Sequence, residues 1–410
     1  MDNVFDFRNR LINEYSSFSR SFSKVSAQDI LSKVELEYDR GRYWPEPLIQ
    51  INPNYKRQST VQQLAHEGML HASCSHIFQT GKTEGKAADL HLYVHQLQAL
   101  AKAQKQQSYV VTTGTGSGKS LAFFVPIIDR ILKAKQADPQ KRTRAIVIYP
   151  MNALANSQLE ELDKFLHGYP DDQKPFTVAR YTGQESETDR KQIADNPPDI
   201  LLTNFMMLEL ILTRFEDVDR RVVEHCQGLE FLVLDELHTY RGRQGADVAL
   251  LVRRLRERLQ ASQLVCIGTS ATMSSTGTQA DRNQTVASVA SLLFGAQITE
   301  HDVIGETLER VTNPAKDIEA VKSLLKPALL KESYHWPDFA SFSDDPLAVW
   351  VELSLGIELP LDEPPRRARP VTLGDAAKRL ADDAQCTVED AHAGLQRFLV
   401  AAHDVKTPQG

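Results

Sequence analysis

Between residues 91 and 297, short apolar runs alternate with longer stretches in which apolar positions recur every three or four residues. The runs 108–112, 144–149, 176–181, 199–203, 230–235 and 264–268 are rich in Val, Ile, Leu, Phe and Tyr. They are too short for helices, so each predicts a strand covered on both faces. The stretches 151–166, 245–259 and 281–293 carry the 3.6-residue period of amphipathic helices. This rhythm predicts βαβ units, a mostly parallel sheet with helices on both sides, and ligands at the C-terminal ends of the strands.

The flanks read differently. Residues 1–90 hold a Phe/Ser/Tyr-rich helix start, a proline-containing extended piece at 43–55 and a Gln/His/Ala-rich helix, together a helical accessory region. Residues 298–410 read as a helical, acidic extension, interrupted at 361–370 by a proline-dense stretch that predicts a linker. No internal repeat or long low-complexity tract is evident.

The chain has 410 residues, of which 41% are hydrophobic, enough for a sizeable core and more than one compact unit. Its net charge of −7 argues at first against a nucleic-acid partner. The excess is local: residues 1–90 and 91–300 are each balanced, and 301–410 carry 12 basic against 19 acidic side chains. A neutral central segment can still bind phosphates through local patches and backbone donors. The longest apolar run, 121–128, is too short to span a bilayer, the start of the chain has no signal-peptide pattern, and Cys74, Cys226, Cys266 and Cys386 are scattered. The expectation is a cytoplasmic protein with reduced thiols and no membrane partner.

The chemistry is concentrated at two strand ends. Thr113-Gly114-Thr115-Gly116-Ser117-Gly118-Lys119-Ser120 follows the first central strand and opens a helix. Its glycines let backbone N–H groups wrap a phosphate chain at a helix N-terminus, Lys119 would neutralise the β- and γ-phosphates, and Ser120 would hold Mg²⁺. Thr113 stands where the strict G-x-x-x-x-G-K-[ST] pattern has glycine, but the remaining glycines still allow the tight turn. After the strand 230–235, Asp235 and Glu236 supply a carboxylate for Mg²⁺ and one to polarise an attacking water. The combination predicts a nucleoside triphosphatase using ATP and Mg²⁺, with an ordinary flexible turn and an incidental charged strand end as the bland alternatives.

Four further segments join these two in order: His95-Gln96 upstream, Tyr149-Pro-Met-Asn-Ala-Leu-Ala-Asn-Ser-Gln158, Thr203-Asn204 and Ser270-Ala271-Thr272. This series resembles the first RecA-like domain of a superfamily 2 DExH-box helicase over about half the chain. The stretch Asp235-Glu-Leu-His-Thr-Tyr-Arg-Gly-Arg-Gln-Gly-Ala-Asp247 and the arginine-rich helix beyond it are similar to Lhr-like and MrfA-like bacterial helicases, including those of Druantia-type anti-phage systems. The resemblance implies that Gln96 reads the adenine edge. It also implies that His238, with Ser270, Ala271 and Thr272, couples the γ-phosphate state to movement on nucleic acid. Pro150, Asn152, Ala153, Gln158, Thr203 and Asn204 would grip DNA or RNA phosphates without reading bases. Such a motor needs a second RecA-like domain bearing an arginine finger, usually in a Gln-x-x-Gly-Arg-x-Gly-Arg element, and none occurs after residue 273. The chain is therefore expected to be one lobe of a larger or split motor, completed in cis or in trans, with defence-system proteins as further partners. The alternative is a catalytically idle ATP-binding scaffold.

Two smaller signals stay open. His66-Glu-Gly-Met-Leu-His71, near Cys74 and His76, looks like a metalloprotease helix. Its histidines are five residues apart, however, about 140° around a helix, so they cannot share a face as H-E-x-x-H requires. Arg253, Arg254, Arg256 and Arg258 form a basic stripe suited either to nucleic acid or to solvent.

Overall fold

The computed structural model describes residues 3–22, 25–40, 44, 46–114, 116–271, 278–360 and 364–406. They divide into two compact units, 55–307 and 1–54 with 308–410.

The first unit is built on seven strands: β1 (Tyr109–Thr112), β2 (Ala145–Tyr149), β3 (Val178–Tyr181), β4 (Ile200–Asn204), β5 (Phe231–Leu234), β6 (Val265–Ser270) and β7 (Val303–Gly305). They pair in parallel throughout, in the order β7-β1-β6-β5-β2-β4-β3. This is the mostly parallel α/β layer that the alternating pattern predicts, and all six expected strands form. Side chains alternate along each strand between two cores. Val111, Val147, Leu202, Val233 and Ile267 face α1 (Val94–Gln104), α2 (Leu121–Ala137) and α3 (Asn152–Leu166). Val110, Ile146, Ile148, Leu201, Leu232 and Cys266 face the other side. There lie α4 (Glu187–Asp195), α5 (Phe205–Thr213), α6 (Asp217–Glu224), α7 (Gly242–Arg258) and α8 (Gln279–Phe294). Period-two alternation on a sheet covered on both sides explains why these strands read as nearly continuous apolar runs.

Two boundaries differ from the pattern along the chain. Residues 55–90 join the central unit, because Val61, Leu64, Leu70, Cys74, Ile77 and Phe78 fill the core shared with α1 and α2. Beyond 297, β7 adds a seventh strand, Val303–Gly305 in register with Val110–Thr112. Three residues are too few for periodicity to reveal.

The second unit is mainly helical. Ile318–Leu329, Pro346–Val351, Leu373–Ala384 and Val388–Ala402 enclose Trp350, Leu325, Leu380 and Phe398. The Trp350 indole N–H donates to Asp383 at 2.9 Å, which satisfies the one polar atom of a fully buried ring. Of the proline-dense stretch, 361–363 lie outside the described residues, and Arg366–Arg367 pairs as a short strand with Ile357–Glu358. Among the described residues no helix is long and apolar enough to cross a membrane.

Gly268 in β6 controls how closely the acidic loop can lie on the sheet. A Cβ there would come within 2.3 Å of Leu237 Cδ1 and 3.1 Å of Phe294 Cζ, both in fully buried side chains. Gly268→Ala is expected to destabilise the chain by about 1–3 kcal/mol through overpacking. Urea denaturation checks this, and an unchanged midpoint would show that Leu237 moves aside freely.

Candidate nucleotide site

The order β1-β6-β5 determines the site. The glycine loop leaves β1, the acidic pair leaves β5, and β6 ends between them with Thr269 and Ser270. Gly116 and Gly118 both adopt positive φ, +76° and +66°, which glycine alone enters without strain. A Cβ on Gly118 would also lie 2.6 Å from Gln96 Nε2. Thr113, at the position where the strict pattern has glycine, is buried with its hydroxyl 2.6 Å from that of Ser117 and so closes the loop base from within. Lys119 reaches back over the loop, its ammonium donating to the Thr113 carbonyl at 3.3 Å and standing 4.0 Å from Glu236 Oε1. Ser120 caps α2. Thr115 lies outside the described residues.

The Thr269 hydroxyl donates to Asp235 and accepts the Glu236 N–H at 3.1 Å, so β6 holds the turn that carries both acids. Glu236 has φ +53°, a left-handed conformation costing about 1–3 kcal/mol for a residue with a Cβ. Its Oε2 lies 3.2 Å from His238 Nδ1 but is buried without completing a hydrogen bond. His238 Nδ1 also stands 3.4 Å from the Ser270 hydroxyl. The structure thus brings Lys119, Asp235, Glu236, His238 and Ser270 together. Ala271 follows at the strand end, and Thr272 lies outside the described residues.

Burial pushes the Asp235 carboxyl above the usual carboxylate range, as does the neighbouring Glu236, against the lowering pull of Thr269 and Lys119. The donor set suits a small hard cation. The Ser120 hydroxyl and the Asp235 carboxylate would supply oxygen ligands to such a cation, and one Glu236 oxygen is buried without a hydrogen bond. Among the described residues no group of three or more His, Cys, Asp or Glu forms a metal cage, so a cation here would need most of its ligands from phosphate and water.

Gln96 is turned inward. It is 2% exposed, its amide N–H donates to the Gly118 carbonyl at 2.8 Å, and its oxygen accepts the Tyr93 N–H at 2.8 Å. In this structure its two hydrogen bonds hold the loop and cap α1, beside the place where an adenine-reading role was expected. His95, to which the sequence pattern assigned no role, is fully buried against the same loop.

The residues expected to face nucleic acid separate into two sets. Asn204 caps α5, and its amide donates to Asn152 Oδ1 at 2.7 Å and to the Thr182 carbonyl at 3.0 Å, tying three strand ends into one edge. Pro150 precedes α3, Ala153 is exposed in its first turn, and Gln158 lies further along the helix, half-buried. Thr203 is fully buried and donates to the Tyr181 carbonyl at 2.7 Å, so its hydroxyl serves the sheet instead of facing solvent. Thr182 and Gly183 went unrecognised in the sequence. Glu185 accepts both of their N–H groups, at 2.7 and 2.9 Å, and such a local turn has no long-range signature.

Three of the four arginines of the basic stripe on α7 bond within the chain, and Arg258 is exposed. Arg253 donates to the Leu292 carbonyl, Arg254 pairs with Glu209, and Arg256 donates to the Phe294 carbonyl. In the His-rich segment, one ring nitrogen of His71 meets Gln136, the other accepts the Ser73 N–H, and Cys74 is buried.

Residues 93–280 match the model of the DEAD/DEAH box helicase family. The chain is similar to the uncharacterized ATP-dependent helicase YprA of Bacillus subtilis (strain 168), 35% identical over 184 residues, 44% of this chain and 23% of that protein. It is similar to the Lhr helicase/uracil glycosylase of Escherichia coli (strain K12), 32% identical over 186 residues, 42% of this chain and 12% of that protein. A third relative is the Druantia protein DruE of Escherichia coli (strain UMEA 4076-1), 26% identical over 293 residues, 45% of this chain and 16% of that protein. The chain therefore spans less than a quarter of the length of each of these relatives.

The central unit keeps a buried, hard-to-ionise carboxyl at its site, and this has a thermodynamic sign. With its folded pKa raised, Asp235 binds more protons folded than unfolded, so its contribution to stability falls as pH rises through the window above 3.8. Asp235→Asn is expected to melt above the parent at neutral pH. The gap should close as pH falls toward 4. Thermal melts across that range check it, and a variant less stable at pH 7 would contradict the burial argument.

Proposed function

We propose that the chain is the ATP-binding lobe of a nucleic-acid motor that couples Mg²⁺-dependent ATP hydrolysis to movement along single strands of DNA or RNA. The observation that carries this reading is the convergence of the Lys119 ammonium and the Asp235-Glu236 pair from two strands across one glycine loop. In the proposed mechanism the loop N–H groups and Lys119 bind the phosphate chain, Ser120 and Asp235 hold the cation, and Glu236 orients and takes a proton from the attacking water. Bound Mg²⁺ supplies neutralisation of the charge that develops on the transferred phosphoryl group. His238, between Glu236 and Ser270, passes the state of the site toward the end of β6.

The strand-tracking surface of this proposal is the edge joined by Asn204, Asn152 and Thr182, where α3 and α5 present their N-termini. Amides and helix N-termini hold phosphates without reading sequence, which suits a motor. Fast turnover is proposed to need a second RecA-like domain, in cis or in trans, whose arginine stabilises the transition state and is typically worth about 10³–10⁵ in rate. Cytoplasmic action in a defence system, with further protein partners, is the physiological setting favoured by the likeness to DruE.

Lys119→Ala is expected to weaken binding of Mg·ATP by about 10- to 100-fold, since a charge-assisted contact contributes roughly 1.5–3 kcal/mol. Calorimetric titration reads this, and unchanged affinity would remove the phosphate-loop assignment. Glu236→Gln should keep nucleotide affinity within about threefold and abolish hydrolysis in the presence of single-stranded DNA and the completing lobe, because an amide cannot accept the water's proton. Parental turnover in that variant would place the base elsewhere and favour a scaffold role for the acidic pair.

A further inference from the structure

Two successive residues at the start of α1 grip two successive carbonyls of the glycine loop. The His95 ring stands 2.9 Å from the Ser117 carbonyl through Nε2, and the Gln96 amide donates to the Gly118 carbonyl at 2.8 Å. A carbonyl only accepts, so the His95 hydrogen resides on Nε2, and Nδ1 is left bare with no partner. The ring is fully buried, stacked on Tyr93 at 5.6 Å and met edge-on by Tyr55 at 5.8 Å. An uncharged imidazole fits that setting: burial pulls its pKa down, while the Ser117 contact and Glu306 act in the opposite sense.

Peptide groups are planar and trans, so each N–H points opposite to the C=O of the same unit. Holding the Ser117 carbonyl against α1 turns the Gly118 N–H to the opposite side, away from α1. Holding the Gly118 carbonyl does the same for the Lys119 N–H. The Gly118 carbonyl also accepts the Leu121 N–H at 3.1 Å and so is held by the helix as well, whereas the 117–118 peptide is followed by a glycine that enters positive φ without strain, so backbone sterics alone do not set its plane.

We infer that His95 is a positioning residue of the nucleotide site: by donating from Nε2 to the Ser117 carbonyl it sets the plane of the 117–118 peptide and aims the Gly118 N–H at the bound phosphate. The inference rests on the nucleotide-binding reading above and adds the group that orients the loop before a ligand arrives. The phosphate then meets a donor whose orientation is already established, and less affinity is lost to ordering the glycines.

The test uses the 410-residue chain, Mg²⁺ and fluorescent methylanthraniloyl-ADP, with His95→Phe and His95→Gln. Phe keeps the buried ring between the tyrosines and removes the donor, whereas Gln gives up the ring and keeps an amide N–H at similar reach. Expected results are a roughly tenfold weaker affinity for H95F and an affinity within about threefold of the parent for H95Q. Their order of melting temperatures should be the reverse, since the ring is retained only in H95F. Parental affinity in H95F, or equal loss in both variants, overturns the inference, and if H95F does not fold the affinity of H95Q decides it on the same threshold. Lys119→Ala is run alongside. If that variant binds like the parent, the nucleotide site itself is misassigned, whereas a Lys119-dependent affinity indifferent to His95 overturns only the positioning role.

Discussion

Parallel pairing of β6 with β1 on one side and β5 on the other is the constraint on which the site depends. Parallel strands end at the same edge of the sheet, so the loops that follow β1 and β5 open together, with the end of β6 between them. Thr269 uses that position, bonding to Asp235 and to the Glu236 N–H, and Ser270 meets His238 one residue further on. A one-residue shift of register would turn Thr269 to the opposite face of the sheet and leave the acidic turn without its support.

The site holds its groups at a cost in stability. Asp235 is buried enough to resist ionisation, Glu236 occupies a left-handed conformation, and one of its oxygens is buried without a hydrogen bond. Each is unfavourable in the ligand-free chain, and each becomes useful where cations and phosphates are to be bound. The surrounding sheet can carry this strain because strands β1, β2, β5 and β6 are packed on both faces by apolar helices. The loop is held differently: it is rich in glycine and therefore soft, and its orientation comes from hydrogen bonds donated by α1.

Charge on the surface is less informative than charge with a partner. The arginines of α7 look in sequence like a basic stripe, yet Arg253, Arg254 and Arg256 are tied to α8 and Glu209, bracing the helices on one side of the sheet. Of the histidines near residue 70, His71 is held by Gln136 and the Ser73 N–H, while His66 and His76 are exposed. An Arg or His in the sequence declares a capacity to donate, and the fold decides which acceptor takes it.

The alternation of apolar runs and amphipathic stretches was enough to establish the α/β layer and its six long strands, because their side-chain periods are local properties of the chain. Gly-Lys-Ser after β1 and Asp-Glu after β5 were legible for the same reason: each motif is short and contiguous. Partnership between distant segments was not legible. Whether Gln96 faces a base or the Gly118 carbonyl, whether Thr203 meets solvent or Tyr181, and whether His95 belongs to the core or to the site all depend on contacts across the sheet edge. The short strand β7 and the assignment of residues 55–90 to the central unit depend likewise on pairing and core filling. Sequence determined which elements form and which chemistry they carry, since torsional preference and hydrophobic period act within a few residues. Only the tertiary structure decided which donor meets which acceptor, since hydrogen bonds between segments exist only once the sheet has brought their ends together.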